Sequence, residues 1–350
     1  MDGFAIRADD TPGTLPLVGR IAAGRPAARP LAGGEAMGIA TGGVVPDGAD
    51  AVVPLELVTD RGDAVEIPAP VAPGANVRPR GGDVTAGTVI LPAGSRLTPH
   101  RLAAVAAVGH PSVSCHRRPR VAILTTGTEL RAPGDALEPG QIFESNGLML
   151  AALLERAGAL VDRHHPVVDD DDAHRAALEE ALAADVLVTS GGVSVGPHDL
   201  VRRITGELRV EEVFWGVAMR PGKPFFFGAR DHTLVFGLPG NPVSSLVGAL
   251  LFVVPAIRAL QGDPDPAPQF ETGVLAAAVT RSELRDDFVR ARWSATDDGA
   301  PTLVPVSGQE SHMIVNAAGA DAIVRVPRGA GQLAAGASAR YLRLDGGTGV

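Results

Sequence analysis

Two patterns of hydrophobic and polar positions follow one another along the chain. Over residues 15–71, short apolar runs such as LPLVGRIAAG and ADAVVPLE are broken by Gly, Pro and Asp. That pattern predicts strands of a small β domain. Residues 78–94 are turn-rich, and 98–108 predicts an alanine-rich helix with Thr98 as N-cap and Pro99 at its first position. After Arg120 the apolar runs lengthen. VAILTT (121–126) predicts a strand, and 148–157 a helix that Ser145 or Asn146 can cap and Gly158 ends. LVDRHHPVV predicts a second strand and 173–183 a helix. DVLVTS (185–190) and TLVFG (233–237) predict further strands, and 243–260 a final helix. Strands alternating with helices predict a parallel α/β sheet, whose ligands bind off the carboxyl ends of its strands. Residues 261–269 (QGDPDPAPQ) form a linker by composition, and short strands return after it.

Length and charge narrow the classes. A chain of 350 residues with 45% hydrophobic content buries a sizeable core across several units. A net charge of −9 with no basic block argues against a nucleic-acid partner. The single cysteine, Cys115, fits a reducing compartment, and the opening MDGFAIRADD is no secretory signal. The apolar run starting at Leu246 is interrupted by Gly248 and Pro255 and stops at Arg258, short of the roughly 18 apolar residues of a span. A soluble cytoplasmic protein is expected, without a membrane partner. Of the 31 basic residues, only Lys223 is a lysine. A lone ammonium among arginines marks a position where a planar fork cannot stand in for a compact charge.

Four polar loops each follow an apolar strand: TGTEL (126–130), VVDDDD (167–172), SGGVSVGPHD (190–199) and GLPGNPVSS (237–245). Together they would bring N–H groups, hydroxyls and carboxylates to one sheet rim. Gly191, Gly192 and Ser194, following Ser190, can form an N–H nest for phosphate, and Asn241 can cap the last helix with Pro242 at its first position. Asp170 to Asp172 read as helix caps. Glu129, Asp169 and Asp199 are carboxylates, which meet a phosphate through Mg²⁺. Lys223 adds fixed positive charge. The residues therefore suggest a phosphorylated or nucleotide-bearing ligand handled with a divalent metal. His164 and His165 read as a solvated edge, and no zinc spacing or P-loop occurs.

Beyond this chemistry, MDGFA, TGGVVP, RGGDVTAG, TTGTEL, GQIFESNG, TSGGVSVGPHD, MRPGKPFFFG, GLPGNPVSS, DDFVRARW and GQESHM occur in that order along essentially the whole chain. In these motifs the sequence resembles the MoeA-type molybdopterin molybdenumtransferases, whose eukaryotic counterparts include the E domain of gephyrin. The resemblance implies a multidomain α/β protein. Residues 1–14 and 72–118 would form a discontinuous N-terminal domain and 15–71 a small β domain. Residues 119–262 would form the molybdopterin-binding α/β domain and 270–350 a C-terminal β-barrel. It also implies a homodimer that inserts molybdate into adenylated molybdopterin, releasing AMP with Mg²⁺. The molybdopterin adenylyltransferase and apo-molybdoenzymes would be its partners. Carried over by motif, Asp2, Thr41 and Asp83 belong to the site, and Glu129, Asp169 and Asp199 surround metal and molybdate. Lys223 meets phosphate or pterin, Pro239 and Pro242 shape the loop wall, and Arg290 and Ser311 come from the C-terminal domain.

Departures from the family pattern accompany these matches. Relatives usually extend further ahead of MDG, with helices that contribute to the dimer interface. Thr128 stands where an acid is usual, and Gly216 and Arg220 where lysines are frequent. Two other readings use the same residues. One is the adenylyltransferase, which shares the SGG-type loop. The other is a non-catalytic molybdopterin-binding or scaffold relative.

Overall fold

The computed structural model describes residues 2–164, 166, 167, 170–192, 200–296 and 299–344. The chain splits into two units, Met1–Ile90 and Leu91–Val350.

In the first unit, β1 (Gly3–Ile6), β2 (Gly13–Ile21), β3 (Ala36–Ile39), β4 (Ala51–Pro54), β5 (Thr59–Asp60) and β6 (Ala64–Ile67) form one sheet in the order β4-β1-β3-β2-β6-β5. Both faces are apolar. Phe4, Ile6, Ala51 and Val53 pack on one side, while Ala5, Met37 and Val52 pack on the other. This period-two division is what strands buried on both faces require. β1, from the segment expected to join residues 72–118, is an interior strand here and pairs with both β3 and β4. Gly3 permits that pairing, because a Cβ there would stand 2.2 Å from the Val53 carbonyl oxygen.

In the second unit, α1 (Pro99–Ala107) precedes β7 (Arg120–Thr125), and a short ribbon of β8 (Leu130–Arg131) and β9 (Ile142–Phe143) follows. Next come α2 (Asn146–Arg156), β10 (Leu160–Arg163), α3 (Asp171–Ala181), β11 (Val186–Ser190), α4 (Leu200–Glu207), β12 (Glu211–Trp215), β13 (Met219–Arg220), β14 (Phe226–Arg230), β15 (Thr233–Leu238) and a helix α5 (Pro242–Leu260). The central sheet has the order β10-β7-β11-β15-β14-β12. Its first four strands are parallel, as expected. β14 and β12 are antiparallel, a departure from the expected all-parallel sheet. The cause is local: β14 and β15 are joined through only Asp231 and His232, with Asp231 at φ 52°, a hairpin turn that allows no crossover.

The strand alternation sets the layers. Val121, Ile123, Val186, Val188, Phe236 and Leu238 face α2 and α5, whereas Ala122, Leu124, Leu187 and Val235 face α3 and α4. Buried Leu150 and Leu154 carry α2 into this core, and truncating either costs about 2–5 kcal/mol.

α5 is the helix expected over 243–260, and it runs unbroken through Gly248 and Pro255, which interrupt only the run of large apolar residues. Pro255 has no N–H for the carbonyl of Leu251, and the ladder widens into a π segment at Ala249–Val253. Among the described residues this is one helix long and apolar enough to cross a membrane, and its Val243, Val247, Val253 and Ile257 lie in the core.

β16 (Glu271–Leu275), β18 (Asp286–Thr296), β19 (Gly299–Pro305), β20 (Ala322–Val326) and β22 (Ser338–Arg343) close into a five-stranded barrel, because β18 pairs with β20 as well as β19. β17 (Val279–Thr280) and β21 (Gln332–Leu333) form a separate ribbon, and α6 (Ile314–Ala317) is a single turn. Leu275, Val289, Leu303, Val324 and Tyr341 fill the barrel. Tyr341 accepts from Trp293 Nε1 at 2.8 Å and donates to Glu271. The α/β layer and the barrel share a core, since Phe288 and Ile323 belong to the same cluster as α2 and α5. β13 extends the barrel sheet by pairing with β18.

Candidate functional site

In the first unit, Asp2 and Thr41 form a matched pair. The β1–β3 register sets Gly3 opposite Ile39, so Asp2 meets the turn that follows β3. Asp2 Oδ1 accepts from both the N–H (2.7 Å) and the hydroxyl (2.9 Å) of Thr41. The Thr41 N–H, followed by its hydroxyl, holds the Asp2 carboxyl below the ordinary carboxylate range. Both side chains are exposed.

In the second unit, the carboxyl ends of β7, β11 and β15 make a rim. Glu129 is exposed there, and its carboxylate folds back over Gly127. Gly191 and Gly192 follow β11 at φ 101° and 67°. A Cβ on Gly191 would stand 2.7 Å from both the carbonyl and the hydroxyl oxygen of Thr126, so close approach and backbone conformation both demand glycine. The N–H of Gly191 donates to the Leu238 carbonyl at 3.0 Å, joining two loops. It is therefore not free for the phosphate nest expected of it. Ser190 is likewise buried, 3% exposed, and its hydroxyl faces protein partners instead of a ligand. Asp169, Ser194 and Asp199 lie outside the described residues. Among the described residues no three acidic, His or Cys side chains gather to hold a metal.

The GLPGNPVSS loop is held from three directions. Asn146, the first residue of α2, donates through Nδ2 to Ser190 Oγ (2.9 Å) and to the Gly240 carbonyl (2.7 Å). Ser190 Oγ and Ser245 Oγ are 3.1 Å apart, and Ser245 donates to the Pro239 carbonyl. Pro239 is buried beneath the rim and Pro242 starts α5. Asn241 occupies the N-cap position without capping. Its Nδ2 donates instead to Ser311 Oγ at 2.9 Å, and the Val243 N–H donates to the Ser311 carbonyl at 3.0 Å. The GQESHM loop is thus latched to α5.

Arg290 holds that latch from below. It is fully buried, and burial pushes its guanidinium below the ordinary value. It donates to the carbonyls of Gly308, Glu310 (3.2 Å) and Met313 (2.8 Å), while its main-chain N–H donates to Gln309 Oε1 at 3.0 Å. Expected to meet a ligand, Arg290 is instead committed to the loop that carries Ser311. A guanidinium with five donors suits a ring of carbonyls.

Lys223 is exposed in the MRPGKP segment, and its carbonyl accepts from Val217 and Phe225. Arg220, three residues earlier, forms a two-pronged pair with the buried Asp287 of β18 at 2.7 and 2.6 Å. Its charge is therefore tied to the barrel. Gly216 has φ 86°, a conformation costly for any side chain.

Asn146, Ser245, Glu144 and Gln309 were missed as site-supporting residues. Asn146 was read only as a possible cap. In fact Ser145 holds the N-cap position with no side-chain bond, and buried Glu144 accepts from the Gly147 N–H at 2.6 Å. The signal lay in ESNG directly after the β9 pattern, where an acid and an amide flank a helix start. A cavity of 1190 Å³ beside His116, Arg156, Val254 and Phe270 lies near the other end of α2 and shares no residue with the rim.

Three family models match in chain order: "MoeA N-terminal region (domain I and II)" over residues 1–109, "Probable molybdopterin binding domain" over 122–259 and "MoeA C-terminal region (domain IV)" over 272–344. A molybdopterin molybdenumtransferase 2 of Mycobacterium tuberculosis is 38% identical over 349 residues, 96% of this chain and 85% of that protein. The chain belongs to the MoeA family. A molybdopterin molybdenumtransferase of Staphylococcus aureus is 35% identical, covering 96% of this chain and 82% of its own length. A crystal structure of a MoeA protein from Pyrococcus horikoshii, 32% identical, superposes with a TM-score of 0.79 over 99% of this chain and 87% of that one. Within the MoeA family frame, the rim lies in the molybdopterin-binding match and the Arg290–Ser311 latch in the C-terminal match.

Proposed function

We propose that this chain is a molybdopterin molybdenumtransferase that inserts molybdate into adenylated molybdopterin and releases AMP. The observation that carries the reading is the convergence of the SGG, GLPGN and GQESHM segments on one sheet edge, in a chain matched along its whole length by MoeA models. The full-length relatives named as transferases favour an enzyme over a scaffold.

The reaction joins two exchanges. Two thiol protons and one molybdate oxygen leave as water when the dithiolene takes up the metal. Cleaving the phosphoanhydride to AMP consumes one water. Charge grows on phosphate oxygens as the anhydride breaks, and groups fixed beforehand stabilise it best. Lys223 supplies an exposed ammonium in the MRPGKP segment. The Asn241–Ser311 latch keeps the loop wall in place. In the first unit, Asp2 orients the Thr41 hydroxyl. Glu129, Asp169 and Asp199 are an all-oxygen donor set of the kind Mg²⁺ takes, and Glu129 stands exposed at the rim as such a ligand must. Bound there, Mg²⁺ would neutralise phosphate charge. Work as a homodimer in the cytoplasm, receiving product from an adenylyltransferase and passing cofactor to apo-molybdoenzymes, completes the proposal.

The test is AMP release from adenylated molybdopterin, with and without molybdate and Mg²⁺. Release that needs both is expected. Tight binding without release would instead favour the scaffold reading.

A further inference from the structure

We infer that Asn146 is a positioning residue, which turns two consecutive N–H groups of the GLPGN loop toward an anionic oxygen of the substrate. This rests on the reading of that loop as a wall for adenylated molybdopterin. Ser245 donates to the Pro239 carbonyl, and the single Ser190 hydroxyl proton reaches either Ser245 Oγ at 3.1 Å or the same Pro239 carbonyl at 3.3 Å. Ser190 Oγ in turn accepts from Asn146. By either route the chain runs one way, from Asn146 through Ser190 to the Pro239 carbonyl, directly or by way of Ser245, with the second Asn146 amide proton on the Gly240 carbonyl. Ser190 and Ser245 are 3% and 0% exposed, so water does not compete, and linked bonds of this kind reinforce one another.

Orientation follows from peptide planarity. In a trans peptide the C=O and N–H point in opposite directions. Drawing the Pro239 carbonyl inward sends the Gly240 N–H outward, and drawing the Gly240 carbonyl toward Asn146 sends the Asn241 N–H outward. Gly240 and Asn241 are exposed, and among the described residues neither N–H donates to a protein acceptor. Two adjacent outward N–H groups match the oxygens of a phosphate. The Asn146 side chain is oriented by the same geometry. The reverse amide orientation would set its Oδ1 against the Gly240 carbonyl, 2.7 Å away.

Asn146→Asp in the full-length chain is the test, since it keeps the shape and removes both donors. Two measurements are made: amide exchange over residues 238–246, and the KM values for adenylated molybdopterin and for molybdate. Exchange in the loop is expected to quicken about tenfold, with the barrel strands unchanged. The KM for adenylated molybdopterin should rise about tenfold while that for molybdate moves less than about twofold. A merely structural loss would not separate the two substrates. Unchanged loop exchange overturns the clamp, and an unchanged KM for adenylated molybdopterin overturns its role toward substrate. If Asn146→Asp does not fold, Ser245→Ala breaks the far end of the chain and is expected to give the same split. A parent chain that releases no AMP counts against the proposed activity, and loop exchange then decides the clamp alone.

Discussion

The side-chain amide of Asn241 reaches Ser311 Oγ across 2.9 Å, joining the first residue ahead of α5 to a loop of the barrel module. Beside it, the Val243 N–H donates to the Ser311 carbonyl. Ser311→Ala removes the side-chain bond and spares the backbone one. The loop should stay in place but loosen, lowering kcat/KM about tenfold with little change in unfolding midpoint. Parent-level kcat/KM in this variant would show that the latch does not serve the reaction.

Arg290→Lys tests the other end of the latch. An ammonium carries three donors on a narrower head and cannot reach the carbonyls of Gly308, Glu310 and Met313 together. Buried carbonyls would be left unpaired, at a cost of about 1–3 kcal/mol. Denaturant unfolding reads this directly. An unchanged midpoint would mean that the guanidinium is not what holds the loop.

Lys223→Arg is expected to fold normally, because the side chain is exposed, and to lose most turnover, because a planar fork cannot take the place of a compact ammonium. Comparison of turnover at equal folded fraction measures this. Full activity in the arginine variant would leave the lone lysine without a special role.

Asp185, at the start of β11 and away from the rim, offers a pH test. The Arg117 guanidinium, followed by the Arg120 N–H at 2.7 Å, lowers its carboxyl from 3.8 to about 2. A depressed acid stabilises the fold above its unfolded value and loses that contribution as pH falls toward the folded one. The stability gap between parent and Asp185→Asn should therefore be at most about 2 kcal/mol near neutrality and close between pH 4 and 2. A gap independent of pH over that window would exclude the ionised pair as its source.

How much of this was legible in the sequence varied with the range of the interaction. Short-range signals were clear. VAILTT and DVLVTS became β7 and β11, Gly158 ended α2 at φ 98°, and Asp170 capped α3 through the Ala173 N–H at 2.9 Å. Motif resemblance carried the family and the rim loops. What stayed hidden were pairings between distant segments. Whether Arg290 meets a ligand or three carbonyls depends on where residues 308–313 lie, and no periodicity encodes that. Arg220 shows in sequence only as a departure from the family's lysines; that its partner is Asp287 on β18 depends on another distant pairing. Asn241 fits the sequence pattern of a cap, but Ser311 competes for its side chain and wins.

On the proposed function, molybdate uptake and anhydride cleavage are one coupled reaction on this chain. The most direct measurement is the amount of molybdenum bound to pterin and the amount of AMP released, followed together from adenylated molybdopterin, molybdate and Mg²⁺. Equal amounts appearing in step, with neither formed when molybdate is left out, is the predicted result. AMP released at the same rate without molybdate, or adenylated molybdopterin retained intact with molybdate present, would contradict it.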